Sequence, residues 1–220
     1  MSATETIARP FILVLAGING AGKSSVGGAM LAQSGLAWFN PDVYASELMT
    51  LSGLHLEQAS GRAWEFGRTQ LEAAIINGTS YAFETTLGGR TITKMLSRAA
   101  RTHDIVMLFC GLSSVPQHIA RVQLRVAHGG HAITENKIRE RWVTSRANLI
   151  KLLPQLARLQ VFDNSAEAVV GEDIPDSVLV LEVFDGRMVF PEPDDGAALA
   201  ATPNWARPIV QAAIELPHTP

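Results

Sequence analysis

Short apolar runs alternate with longer stretches of mixed polarity along most of this chain, beginning with residues 11–16 (FILVLA). Similar runs follow at residues 36–39, 81–84 (YAFE), 105–110 (IVMLFC) and 160–162. Runs this short and this uniformly apolar read as strands covered on both faces, with 105–110 as the central one. The stretches between them read as helices. The first starts in a glycine-rich segment and runs to about Gln33, where Ser34-Gly35 supplies a C-cap. Asn40-Pro41-Asp42 opens the second, since asparagine caps and proline fits a first turn. Residues 57–76 have the length of a long helix, although Gly61 and Gly67 weaken it, and Asn77-Gly78 ends it. Further helices are expected from Arg90 to about Thr102, from Pro116 to about His128, and from a Thr134 cap to about Leu153. The alternation predicts an α/β fold, a parallel sheet of about five strands with helices on both faces.

The pattern changes after about Val170. Residues 177–190 place Asp185-Gly186 between two β-rich runs, a hairpin signal. An acidic, proline-rich piece (residues 191–196, PEPDDG) and a short amphipathic helix around residues 205–216 follow. The expected organisation is a core over residues 1–170 with a lid around 121–141, and a C-terminal appendage over 171–220.

With 220 residues, 47% of them hydrophobic and 18% charged, the chain buries a large core. Net charge is −3 and the 18 Lys plus Arg are not massed in one block, so no nucleic-acid partner is expected. The single cysteine, Cys110, ends an apolar run and reads as a small buried residue, not a catalytic thiol. The segment MSATETIARP lacks the features of a secretory signal, and no apolar run reaches the roughly 18 residues that span a bilayer. A cytoplasmic protein without membrane contact is expected.

Residues 17–24 read GINGAGKS, a full G-x-x-x-x-G-K-[ST] match between the first strand and first helix, and hence a phosphate-binding loop. Glycines let the backbone curl until several N–H groups face one anion, and the following helix adds its positive end. Asn19, Gly20, Ala21, Gly22, Lys23, Ser24 and Ser25 are the expected nucleotide-binding residues. Lys23 reaches the β- and γ-phosphates and the Ser24 hydroxyl holds Mg²⁺.

Three clusters lie downstream. Asp42 sits where ligands collect in open parallel sheets, either as a general base or as a complement to its own helix dipole. Glu84, Thr85 and Thr86 end a strand, with Arg90 beyond them, and either bind the hydroxyls of an acceptor, organise Mg²⁺ through water, or only cap the next helix. Arg121, Arg125, His128, His131, Arg139 and Arg141 surround the Gly129-Gly130 break, and helices joined at such a hinge close over bound nucleotide. Only two or three of these arginines are expected to touch phosphate. His128 and His131 have no nearby third ligand, so zinc is not expected. Residues Asp163-Asn164-Ser165 line the base pocket or form a plain turn.

The segments GINGAGKSS, FNPDVYA, YAFETTLGGRT, RVQLRVAHGGHAIT and KIRERWVTSRANL, in that order, resemble the zeta-toxin-like P-loop kinases across about residues 11–165. The resemblance implies a kinase fold using ATP and Mg²⁺. In the characterised toxins the acceptor is a hydroxyl of a UDP-linked N-acetyl amino sugar, and the kinase is the toxin of a toxin–antitoxin pair. Lys23 and Ser24 match the phosphate-loop pair, Asp42 the catalytic base, and Glu84 with Thr85 the strand end that contacts substrate. Arg121 or Arg125 resembles the first lid arginine, and Arg139 or Arg141 the later one, with His131 near it. The lid and substrate region of the best-known toxins are longer, and residues beyond about 170 match no segment of that family.

The expected function is therefore transfer of the γ-phosphate of ATP to a small-molecule hydroxyl. Asp42, Lys23, Arg125 and Arg141 form the catalytic set, Arg121 and Arg139 add nucleotide contacts, and Glu84, Thr85, Thr86, Arg90 and His131 bind the acceptor. An antitoxin protein is the partner this implies. A nucleotide-gated binding module and a housekeeping or antibiotic-modifying phosphotransferase stand as alternatives. A guanine-specific switch is disfavoured because no N-K-x-D-like segment is present.

Overall fold

The computed structural model describes residues 9–34, 36–167 and 175–217. In chain order the elements are β1 (Phe11–Gly17), α1 (Lys23–Ser34), α2 (Pro41–Ser52), α3 (Leu56–Asn77), β2 (Tyr81–Thr85), α4 (Arg90–Ala99) and β3 (Asp104–Gly111). Then come α5 (Val115–Ala127), α6 (Glu135–Leu152), β4 (Arg158–Asp163), β5 (Val178–Phe184), β6 (Arg187–Phe190), α7 (Gly196–Ala200) and α8 (Arg207–Ile214). The strands form one sheet in the order β2-β1-β3-β4-β5-β6. β1 to β4 are mutually parallel, and β5 and β6 run antiparallel to their neighbours. β1 and β3 lie inside the sheet, and their side chains alternate between two helical layers, which is why both read as almost continuous apolar runs.

Two expectations need correction. The strand expected at residues 36–39 contracts to one parallel bridge, Phe39 to Phe83. Phe39 N–H donates to the Ala82 carbonyl at 2.9 Å and its carbonyl accepts from Glu84 N–H at 2.8 Å. Immediately beyond, Asn40 Oδ1 accepts from the N–H groups of Asp42 (2.9 Å) and Val43 (3.2 Å), so the cap draws the chain into α2 after one paired residue.

The second correction concerns the C-terminal segment. Its hairpin turns at Asp185 and Gly186, both at positive φ (49° and 72°), as a tight antiparallel turn requires. This hairpin extends the main sheet through β4. Trp205 lies against Gly111 where any Cβ would strike the indole, and its ring stacks near Phe109 with centroids 6.5 Å apart. Ile209, Val210, Ala213 and Leu216 join the same buried cluster as Val14, Phe109 and Leu149. The segment therefore shares the core, because its apolar helical face has no other surface to cover it. At the carboxyl ends of β1, β2 and β4 the segments at residues 18–24, 39–42, 84–89 and 163–166 come together, joined by hydrogen bonds of Glu84 to Ser24 and Asn40 and of Asn164 to Ala21.

Candidate functional site

β1 gives way to the loop at Gly17 (φ 139°), where a Cβ would collide with the Cys110 carbonyl of β3. Gly20 (φ 82°) and Gly22 (φ 80°) take the left-handed region that side chains disfavour, and Ala21 N–H closes a turn onto the Ile18 carbonyl at 3.1 Å. The curl ends at the first turn of α1, whose N–H groups and dipole favour an anion there.

Lys23 points back into this curl. Its Nζ lies 3.4 Å from both the Ile18 carbonyl and Glu84 Oε1, and the side chains of the pair are only 8% and 9% exposed. Glu84 Oε2 accepts from Ser24 Oγ at 2.8 Å and from Asn40 Nδ2 at 2.9 Å. A buried pair costs desolvation, and these extra bonds offset it. Ser24 Oγ and the Glu84 carboxylate are oxygen groups able to hold a hard divalent cation such as Mg²⁺, while Asn40 presents its amide N–H₂ to both.

Asp42, on the first turn of α2, is half exposed and pairs with Arg125 Nη1 at 3.1 Å. Arg125 Nη2 also donates to the His131 carbonyl at 3.1 Å, so one guanidinium ties Asp42 to the segment between α5 and α6. Gly130 makes this fit, since a Cβ there would run into the Arg125 stem. Arg141 Nη1 donates to Asn19 Oδ1 at 2.5 Å and its stem lies against Gly88. Burial lowers the Arg141 pKa, opposed by the nearby charges of Asp42 and Glu140. Asp42, Arg125 and Arg141 thus gather at the mouth of the loop.

The other candidates lie differently. Arg139 pairs with Glu135 at 3.5 Å on the exposed side of α6. Arg121 Nη2 donates to the Ala166 carbonyl at 2.9 Å, toward the segment after β4, and Arg90 is exposed at the start of α4. Thr85 Oγ1 accepts from Leu87 N–H at 3.1 Å, and the Thr86 carbonyl accepts from Ser145 Oγ. Asn148 Nδ2 reaches the Leu87 carbonyl at 2.8 Å. Ser145 and Asn148 escaped sequence reading. Their signal was two polar residues on the same face of α6 as Leu149 and Leu152.

Two further residues were missed in the roles they hold. His118, fully buried on α5, meets the Asn19 carbonyl through Nδ1 at 2.8 Å and sets its ring edge-on to Trp142, 5.5 Å away. Burial pushes its pKa down to about 4; the Asn19 bond opposes this, while Lys23, Arg121 and Arg146 reinforce it. Asn164 Nδ2 donates to the Ala21 carbonyl at 3.0 Å. Its neighbours form the plain turn, with Asp163 Oδ1 accepting from Ser165 N–H at 3.0 Å. Cys110 is buried, and burial lifts its thiol to about 12, so it is no nucleophile.

The sheet order, the glycine loop and the lysine at its base define the P-loop kinase fold. The chain matches no family model and no curated protein. Among solved structures it is similar to a chain of the AvrRxo1-ORF1:AvrRxo1-ORF2 complex crystallised with ATP, at 17% identity and a TM-score of 0.60, over 97% of this chain and 67% of that one. A native crystal of the same complex matches 82% of this chain and 60% of its own at 18% identity, with a TM-score of 0.57. This chain thus spans about two thirds of that relative's length or less. A chain of the PezAT chromosomal toxin–antitoxin system of Streptococcus pneumoniae matches at 16% identity and a TM-score of 0.51, covering 73% of this chain and 72% of that one. These likenesses show a shared fold over most of the chain.

Proposed function

We propose that the protein is a kinase that moves the γ-phosphate of ATP onto the hydroxyl of a small molecule. The observation that carries this reading is the position of Asp42, paired with Arg125 beside a phosphate loop whose Lys23 and Ser24 both converge on Glu84. A loop that only gated binding has no use for an accessible carboxylate at its mouth. The triphosphate lies on the backbone amides of residues 20–24, and Lys23 exchanges its contact with Glu84 for phosphate oxygens. Ser24 Oγ and the Glu84 carboxylate would hold Mg²⁺, which would supply positive charge against the phosphate oxygens.

Asp42 accepts the proton of the acceptor hydroxyl as its oxygen bonds to the γ-phosphorus, while the bond from that phosphorus to the bridging oxygen breaks and ADP leaves. Arg125 and Arg141, both within the lid region 121–141, bring charge to the transferring group. The acceptor class implied by the motif resemblance is a UDP-linked N-acetyl amino sugar. A neutralising protein partner is part of the same reading, supported by the likeness to a chain of a toxin–antitoxin system.

Replacing Asp42 by Asn tests the assignment. Formation of ADP and a phosphorylated product from a metabolite extract should disappear, while the calorimetric ATP affinity stays within about twofold, since the carboxylate faces the acceptor. Turnover retained by the variant would reject Asp42 as the base. An intact protein that binds ATP and yields no phosphorylated species from any extract would favour a nucleotide-gated module.

A further inference from the structure

Two carbonyls of the phosphate loop are held from outside it by side chains that come from opposite parts of the chain. The Asn19 carbonyl meets His118 Nδ1 at 2.8 Å, and the Ala21 carbonyl accepts from Asn164 Nδ2 at 3.0 Å. Within a trans peptide plane the carbonyl and the following N–H point in opposite directions. A carbonyl fixed outward therefore fixes the next amide inward. The planes so fixed join Asn19 to Gly20 and Ala21 to Gly22, the two glycines with φ near 80°.

The same two residues also explain why glycine stands at these positions. A Cβ on Gly20 would come within 2.9 Å of the His118 carbonyl, and one on Gly22 would overlap the Asn164 amide. The backbone of His118 and the side chain of Asn164 occupy the space a loop side chain would need. We propose that His118 and Asn164 are positioning residues that turn the amides of Gly20 and Gly22 toward the bound phosphates, α5 holding one peptide plane and the end of β4 the other.

A carbonyl only accepts, so His118 Nδ1 carries the proton and Nε2 keeps its lone pair. Nε2 is buried with no partner among the described residues, which suits a neutral ring and would penalise a second N–H. The depressed pKa agrees, leaving the ring neutral at physiological pH. Neither side chain needs to touch the nucleotide, because both act through the backbone. The inference rests on the proposed binding of ATP at this loop.

The test combines calorimetric titration with ATP and amide NMR on the full chain. His118→Leu and Asn164→Leu should each weaken ATP binding about tenfold, the loss of one loop-fixing hydrogen bond. His118→Asn, whose amide can replace Nδ1–H, should stay within about threefold of the parent. In the parent protein, ATP should move the Gly20 and Gly22 amide protons downfield, and in the two weakened variants that movement should shrink. A role confined to packing would lower the melting temperature and leave ATP affinity and these shifts alone. If His118→Leu does not fold, Asn164→Leu, which matches asparagine closely in size, lacks the donor and adds no charge beside the phosphates, decides the matter by the same loss of about tenfold. Parent protein that binds ATP alongside an unchanged, folded Asn164→Leu overturns this inference alone. Parent protein that binds no ATP overturns the kinase reading with it.

Discussion

Glu84 is the residue that ties the site together. One oxygen pairs with Lys23 while the other accepts from Ser24 and Asn40, so a single carboxylate holds three partners that nucleotide and cation must compete for. Glu84→Gln removes the charge and keeps the shape, leaving Lys23 as an unpaired cation that is 8% exposed. Breaking such a pair costs about 3 kcal/mol, which urea denaturation will read as a lowered midpoint. The variant should also respond more strongly than the parent to ATP in EDTA, with a larger rise in melting temperature, because the triphosphate supplies the missing anion. Equal rises would mean that Lys23 does not meet phosphate. Lys23 and Ser24 were legible in the sequence because the loop motif is local. The convergence was not legible, since Ser24 opens α1, Asn40 caps α2 and Glu84 lies in β2, and only the pairing of β1 and Phe39 with β2 brings them together.

At the scale of elements, α3 shows how two identical residues diverge by context. Gly61 and Gly67 both lower helix propensity, and sequence reading treats them alike. Among the described residues nothing lies within 4 Å of a Cβ on Gly61, whereas one on Gly67 would come within 2.6 Å of the Phe39 ring. That ring is hemmed in by Tyr44 and Phe66, with centroids 5.6 and 5.4 Å away, so it has little room to yield. Gly61→Ala should stabilise the fold by about 0.5–1 kcal/mol through helix propensity alone. Gly67→Ala should destabilise it despite the same gain, since Phe39 carries the single bridge to β2 and precedes the cap at Asn40. Urea midpoints moving in opposite directions would bear this out, and midpoints that both rise would show that Phe39 repacks freely. The short second strand was misjudged for a related reason. Apolar content marks residues 36–39 as buried, and it cannot say that the Asn40 cap takes the chain away after one paired residue.

Across the whole molecule, α5 and α6 reach the phosphate loop through a small core of Ile18, Ile119, Val122 and Ile138, and His118 lies beside Ile119 on α5. Sequence pattern identified both helices and the glycine break between them. The polar anchor within their apolar contact stayed hidden, because a histidine on an apolar helical face looks like any other core residue. Its burial makes stability depend on pH. An unfolded histidine titrates near 6.5, and His118 in the folded chain near 4. Between those values the unfolded chain binds a proton that the folded chain refuses. The stability present above pH 6.5 is therefore lost as pH falls toward 4, and this group removes no more below that. The groups facing the ring are Lys23 on α1, Arg121 on α5 and Arg146 on α6, all of which oppose protonation, with the Asn19 carbonyl favouring it. The loss from His118 alone amounts to at most about 3 kcal/mol. Urea denaturation of the parent and of His118→Asn at pH 7, 5.5 and 4.5 isolates it, since other titrating groups are common to both. The parent should lose more stability across the series, and parallel declines would show that the ring titrates normally in the folded chain.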